Sequence, residues 1–168
     1  MAPKVVKTIR ELIYWEYAKL IAEAIEGRPE ARRKYPLVMD RFKALRVGQV
    51  KPSTILRENK MLVEGENICA YCNECKEGLE WEHIIPKAKV VIDEIDNMVL
   101  ACRACNAAKG GRDPFEWYGT ERQYEIPRLV LGKYLKLIYD IHDERGSLDA
   151  TDPNGDGTLD IFDLGAVI

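Results

Sequence analysis

Four of the five cysteines stand in two Cys-x-x-Cys pairs, and this spacing is typical of a metal site. The first pair is Cys69 and Cys72, and the second is Cys102 and Cys105. Four thiolates satisfy the tetrahedral preference of zinc and leave no coordination position open for a reaction. We therefore predict a structural zinc site, and any catalysis must come from residues between the two pairs.

A single histidine lies between the cysteine pairs. His83 follows Glu82 in the run Glu-His-Ile-Ile-Pro, whereas the second histidine of the chain, His142, lies far outside this segment. Histidine is the usual general base near neutral pH. Neighbouring side chains of a strand point to opposite faces, so one of this pair can face a metal ion while the other faces a water molecule. Metal-assisted hydrolysis of a phosphodiester needs both a base and a positive centre.

The order of these motifs resembles the HNH endonuclease family, in the subgroup that carries a structural zinc beside the active site. It runs from Cys-x-x-Cys through Glu-His-Ile-Ile-Pro and Asn97 to Cys-x-x-Cys-Asn-x-x-Lys. The similarity covers about residues 55–112 and is specific, because several motifs must occur in one order. It implies a ββα-metal fold and metal-dependent hydrolysis of DNA phosphodiester bonds.

The resemblance also implies a role for each of four residues. His83 is expected to be the general base, and Glu82 and Asn106 are expected to bind the catalytic divalent cation. Asn97 is expected to hold the loop after the first strand and thereby fix the imidazole. Oxygen ligands favour Mg²⁺ or Mn²⁺ over a softer metal. Many family members have Asp in place of Glu82 and His in place of Asn106, which leaves the preferred metal open.

Two of these assignments have alternatives. His83 can instead be a structural histidine or a further zinc ligand. Cys75 also forms a Cys-x-x-Cys pair with Cys72. The resemblance favours Cys69 and Cys72 as the zinc ligands, with Cys75 as the reserve.

The net charge of −3 hides a strong asymmetry along the chain. Residues 28–60 hold ten basic and three acidic residues, whereas residues 140–168 hold eight acidic residues and one basic residue. A DNA partner is compatible with the acidic total, because binding depends on local potential. The candidate phosphate contacts are Arg57, Lys60, Lys109 and Arg112. The alternative for each is a solvated helix surface.

Residues 152–163 fit the twelve-residue loop that binds calcium in EF-hands. Gly157 takes the sharp turn at the sixth position. The predicted calcium ligands are Asp152, Asn154, Asp156, Thr158, Asp160 and Asp163. Asp163 in place of the usual Glu also resembles the loops of dockerin modules, but the single copy and the reduced zinc site argue against a cohesin partner. The alternative is an acidic, solvated turn.

The predicted fold class is α+β. The resemblance implies a ββα-metal HNH unit with zinc knuckles, and the apolar periodicity predicts helices on both sides of it. Helices are predicted over 4–26, 36–46, 53–63, 103–109 and 127–145, and strands over 78–83 and 97–101. The predicted division is a partly basic helical region over 1–54, the HNH nuclease core over 55–126, and a C-terminal helix with the calcium loop over 127–168, packed on the same domain.

The sequence also limits where the protein is expected to work. No run of about 18 apolar residues occurs, and the N-terminus lacks the apolar core of a signal peptide. Paired cysteines without a secretory signal favour reduced thiolates on a metal. We expect an intracellular, cytoplasmic protein that is nucleoid-associated when bound to DNA, with no membrane partner. The oligomeric state stays open.

The favoured function is therefore an HNH-type DNA endonuclease, with zinc for structure, Mg²⁺ or Mn²⁺ for catalysis and calcium in the C-terminal loop. One rival is a zinc-dependent nucleic-acid-binding module without catalysis. The other is a calcium-dependent interaction protein in which the acidic tail is the working surface.

Overall fold

The computed structural model describes residues 2–51, 67–92, 95–166 and 168. Within them the chain forms five α-helices and a two-stranded antiparallel sheet, so the predicted α+β class is confirmed. The helices are α1 (Ile9–Glu26), α2 (Tyr35–Arg46), α3 (Arg103–Lys109), α4 (Pro114–Arg122) and α5 (Arg128–Glu144), and the strands are β1 (Leu79–His83) and β2 (Met98–Cys102). The helix predicted over 53–63, with Arg57 and Lys60, lies outside the described residues.

The first helix, α1, begins and ends as its local sequence dictates. Thr8 caps the first turn by accepting a hydrogen bond from the Glu11 N–H at 3.3 Å, and Gly27 ends the helix at φ 66°. Glycine tolerates this left-handed conformation because it has no Cβ. The helix packs against α2 and α5, with the ring of Trp15 edge-on to Phe42 at 5.7 Å between centroids. The N-terminal helices therefore share one core with the C-terminal helix.

The hairpin of β1 and β2 carries the predicted active-site motif. Glu82 pairs with Val99, and His83 pairs with Met98. Glu82 is only 6% exposed, whereas Trp81, on the opposite face, is 56% exposed. A two-stranded sheet is marginally stable by itself. Its stability therefore depends on what covers the buried face, and α3, which follows β2 without a loop, supplies part of that cover.

The helix α4 occupies 114–122, where the apolar periodicity predicts no element. The helix begins at a capping box, in which Asp113 accepts from the Glu116 N–H at 3.0 Å and Glu116 accepts from the Asp113 N–H at 2.8 Å. Gly119 adopts φ 69° inside the helix and interrupts it. The apolar pattern is consequently weak, and the start signal Asp-Pro-x-Glu is the feature of the sequence that locates this helix.

The last helix, α5, covers the core and anchors the tail. Tyr134 and Ile138 are fully buried on its inner face. His142 is also fully buried, with Nδ1 2.8 Å from the Ser147 hydroxyl and Nε2 3.1 Å from the Leu164 carbonyl oxygen. Burial lowers the pKa of His142, which favours the neutral ring. Both ring nitrogens of this histidine are thus used inside the protein. Within the described ranges, none of the helices has both the length and the apolar composition that a bilayer-spanning segment requires.

Candidate functional site

The four cysteines of the two predicted pairs form one cluster. The sulfurs of Cys69, Cys72, Cys102 and Cys105 all lie within 4.8 Å of one another. Cys69 and Cys102 are buried, whereas Cys72 and Cys105 are partly exposed. Four thiolates at these separations fit a tetrahedral zinc ion. The cluster is therefore compatible with the structural zinc site predicted from the spacing.

Backbone hydrogen bonds fix the first cysteine pair against the hairpin. The Ala70 N–H donates to the Leu100 carbonyl oxygen at 2.8 Å, and the Cys69 N–H donates to the Cys75 carbonyl oxygen at 2.9 Å. The Cys75 thiol lies 3.3 Å from the Glu77 carbonyl oxygen and does not belong to the four-cysteine cluster. The structure thus favours Cys69 over the reserve ligand Cys75.

The second cysteine pair sits at the junction of β2 and α3. A hydrogen bond from the Cys105 backbone N–H lowers the pKa of the Cys102 thiol. Burial, together with the neighbouring thiols, raises the pKa of Cys105. Four sulfurs this close cannot all carry a charge without a cation between them, and a bound Zn²⁺ removes that conflict.

The Glu82 carboxylate is held by two buried donors. Lys109 Nζ lies 2.6 Å from Oε1, and the Tyr71 hydroxyl donates to Oε2 at 2.6 Å. Lys109 also donates to the His83 carbonyl oxygen at 2.9 Å. Burial, and then the Glu82 charge, raise the pKa of the Tyr71 hydroxyl, so that Tyr71 remains a proton donor. Lys109 is therefore not the phosphate contact that its place at the end of α3 predicts, because it is completely buried with its ammonium directed towards Glu82.

His83 ends β1 on the face opposite to Glu82 and is half-buried. Asn106, also half-buried, lies one turn before Lys109 on α3. Residues three apart share a face of a helix, and this is the face that contacts the end of β1 through Lys109. Glu82 and His83 at the end of β1 and Asn106 on α3 therefore belong to two elements that contact each other through Lys109.

Asn97 closes the loop that follows His83. Its side chain is fully buried, and Oδ1 accepts from the Ile85 N–H at 2.8 Å. Nδ2 donates to the carbonyl oxygens of Ile85 at 3.0 Å and Ile92 at 2.9 Å. A further bond runs from the Ile84 N–H to the Asn97 carbonyl oxygen at 2.8 Å. One amide thus ties both ends of the loop to the start of β2, next to the predicted base.

Residues 69–112 match the family model described as HNH endonuclease. These residues form an HNH domain. The match includes both cysteine pairs and the four residues to which the resemblance gives catalytic roles. Searches of the curated proteins and of the solved structures find no match. An HNH domain indicates a function on nucleic acid, and such domains are usually nucleases that act on DNA.

Replacing Asn97 with Asp is expected to destabilise the HNH domain by about 3 kcal/mol, because the carboxylate would face two carbonyl oxygens that now receive N–H donors. The measurement is the urea midpoint of unfolding of the zinc-loaded protein. Gln49→Glu makes the same amide-to-acid change at an exposed position and should leave the free energy of unfolding within about 0.5 kcal/mol of the wild-type value. Equal midpoints for the two variants would contradict a closing role for Asn97.

Most basic side chains of the described part of 28–60 already have acidic partners. Arg28 and Lys34 both pair with Glu26, and Arg32 pairs with Glu23. Further pairs are Arg41 with Asp40 and Arg46 with Glu11. These contacts reduce the charge that the segment offers to phosphates. Arg112, by contrast, is exposed at the C-terminal end of α3, where its Nε donates to the Lys109 carbonyl oxygen at 3.1 Å, and it stays a candidate phosphate contact for the HNH domain.

The six predicted calcium ligands lie in one loop that is closed by its own hydrogen bonds. Asp152 accepts backbone N–H bonds from Gly155, Asp156 and Gly157. Asp163 is buried, and its two oxygens accept from the N–H groups of Asn154 at 3.1 Å and Asp160 at 2.7 Å. Thr158 donates from its backbone N–H and its hydroxyl to Asp156. Calcium binding by this loop stays a prediction.

If the loop binds calcium, Ca²⁺ at a hundredfold excess over Kd should stabilise the protein by about 2.7 kcal/mol. The measurement is the thermal midpoint during a Ca²⁺ titration of zinc-loaded protein. Asp163→Asn should remove this dependence because it removes a ligand charge, whereas Asp149→Asn, an exposed position before the loop, should preserve it. A midpoint that Ca²⁺ does not move in the wild type would favour the solvated turn.

Proposed function

We propose that this protein is a metal-dependent endonuclease that hydrolyses DNA phosphodiester bonds, with His83 as the general base. The observation that carries the proposal is the placement of His83 within the matched HNH segment. Its strand end is held by Lys109, its following loop is closed by Asn97, and the α3 face that bears Asn106 adjoins it. We retain the predicted cytoplasmic location, where thiolates stay reduced.

Glu82 and Asn106 are the proposed ligands of the catalytic cation. Their side-chain oxygens suit Mg²⁺ or Mn²⁺. Each Glu82 oxygen accepts one hydrogen bond and retains a lone pair, and Asn106 is partly exposed on the adjoining helix face. The donor set therefore fits a divalent cation, although Lys109 already places a positive charge beside one ligand. When bound, the cation would supply positive charge to the phosphate on which charge develops.

The protein side chains supply the proton transfer and the geometry. An imidazole nitrogen of His83 takes a proton from a water molecule, whose oxygen forms the new bond to phosphorus while the bond to the leaving oxygen breaks. The leaving oxygen takes a proton from solvent. Asn97 keeps the loop after the base from moving, and Lys109 fixes the His83 carbonyl, so the imidazole holds its direction during the reaction.

The test is a cleavage assay with zinc-loaded protein on supercoiled plasmid and on single-stranded DNA. Added Mg²⁺ or Mn²⁺ should produce nicked, linear or shortened DNA, and omission of the added cation should prevent it while the zinc content stays constant. Binding of DNA without cleavage in either cation would contradict the proposal.

The second candidate is a zinc-dependent nucleic-acid-binding module without catalysis. The ion pair between Lys109 and Glu82 favours it, because the carboxylate is neutralised without a metal ion. In that case wild type and His83→Ala should bind DNA equally and neither should cleave it. Retention of DNA on the protein would then fall steeply with salt concentration, since phosphate contacts displace counterions.

A further inference from the structure

The ion pair between Lys109 and Glu82 is sealed inside the protein. The side chain of Lys109 is 0% exposed and that of Glu82 is 7% exposed. A buried ammonium requires partners, and Lys109 has two, the Glu82 carboxylate at 2.6 Å and the His83 carbonyl oxygen at 2.9 Å. Both partners belong to the end of β1, where the proposed cation site lies.

The same position cannot hold the ammonium and a divalent cation together. Nζ lies in direct contact with Oε1 of Glu82, and the Tyr71 hydroxyl takes the other oxygen. A cation bound to Oε1 would face the ammonium across a single oxygen atom in a site of low dielectric, where like charges repel strongly. Cation binding at Oε1 of Glu82 therefore requires Lys109 to withdraw.

Lys109 has a partner to which it can withdraw. The His83 carbonyl oxygen already accepts from the same ammonium, so rotation about the last side-chain bonds can break the contact with Glu82 and keep one hydrogen bond. The ammonium then need not lose every partner inside the protein. The two acceptors at the strand end make the exchange possible without a backbone movement.

Building on the proposed function, we propose that Lys109 is an internal competitor for the catalytic cation. In the cation-free protein its ammonium neutralises Glu82, and it yields this carboxylate when Mg²⁺ or Mn²⁺ binds. The affinity of the site for the divalent cation is then lower than it would be if Glu82 had no ammonium beside it. Lys109 is thus a positioning residue that sets how much divalent cation the site requires.

The test measures Mn²⁺ binding to zinc-loaded protein without DNA, by electron paramagnetic resonance of the free ion. Glu82→Gln serves to identify the site. Only the Mn²⁺ binding that is present with Glu82 and absent from Glu82→Gln is assigned to it. Lys109→Met should tighten that binding at least about tenfold, since the repelling charge is gone. Lys19→Met is the matched control: Lys19 and Glu16 form a similarly buried pair, 7% and 3% exposed, on α1. It should leave Mn²⁺ affinity unchanged.

Lys109→Met leaves the Glu82 carboxylate buried without the lysine ammonium. The folding of this variant is therefore followed in the same samples. The thermal midpoint should fall without Mn²⁺ and recover with Mn²⁺ by more than the wild type gains, because the metal replaces the ammonium. Lys109→Gln, which keeps an N–H donor but no charge, serves if the Met variant does not fold. Unchanged or weaker Mn²⁺ binding in the folded variant would overturn the proposal, even if the wild type cleaves DNA. Tighter binding without any cleavage by the wild type would overturn the endonuclease function and leave the competition standing.

Discussion

Replacement of His83 by alanine is expected to abolish DNA cleavage and leave the fold intact. Loss of a general base costs roughly 10²–10⁴ in rate, which would take nicking below detection in an ordinary plasmid assay. The side chain is half-buried at the strand end, and the ammonium of Lys109 contacts the backbone of His83, which alanine retains. Zinc content and the thermal midpoint should therefore stay close to those of the wild type.

The second histidine provides the control for this experiment. His142→Gln changes a fully buried ring that bonds Ser147 and Leu164, so it should lower stability. It should not lower cleavage per folded molecule, because His142 lies outside the HNH domain and away from solvent. Cleavage retained by His83→Ala, or lost selectively by folded His142→Gln, would refute the assignment of the base.

Replacement of Cys102 by serine is expected to release the zinc and unfold the HNH domain. Structural zinc contributes apparent binding energies of about 10–16 kcal/mol in small zinc domains. A two-stranded hairpin is marginally stable by itself, so it is not expected to stay folded once the zinc is lost. Cys102 also ends β2 and is the N-cap residue of α3, so its displacement moves the helix that carries Asn106 and Lys109. The measurements are zinc per chain by elemental analysis and the tryptophan fluorescence of the whole chain, to which Trp15, Trp81 and Trp117 all contribute.

Cys75→Ser is the matched control, because Cys75 follows the first cysteine pair but lies outside the four-cysteine cluster. One zinc per chain and a wild-type spectrum are expected for it. Zinc retained by Cys102→Ser, or lost by Cys75→Ser, would show that the four ligands are wrongly chosen.

The parts of the fold that depend on local sequence follow from the sequence closely. Gly27 ends α1 where its lack of a Cβ allows a left-handed residue, and the hairpin strands fall within one residue of the prediction. The cysteine spacing predicts the four-sulfur cluster because Cys-x-x-Cys turns place two thiols on one ion. The apolar periodicity does not predict α4, because Gly119 interrupts the helix. The capping residues at its start are the sequence feature that still indicates it.

The electrostatic contacts do not follow from the sequence, since they depend on tertiary packing. Lys109 ends a helix and precedes two glycines, a position typical of a solvated side chain. Only the packing of α3 against β1 places its ammonium on Glu82, 27 residues earlier in the chain. Likewise, the sequence predicts that the basic residues after α1 are available to phosphates, whereas in the structure Arg32 pairs with Glu23 and Lys34 pairs with Glu26. Charge counts along the chain therefore overstate the surface that is open to DNA.

The hydroxyl of Tyr71 bears on how chelator experiments should be interpreted. Tyr71 stands between the two cysteines of the first pair, and it also donates to Glu82 at 2.6 Å. A reagent that strips zinc would free this tyrosine and disturb the carboxylate proposed to bind the catalytic ion. Inhibition by EDTA would then report the loss of either metal. Only exchange of the weaker ion at constant zinc occupancy assigns metal dependence to the reaction itself.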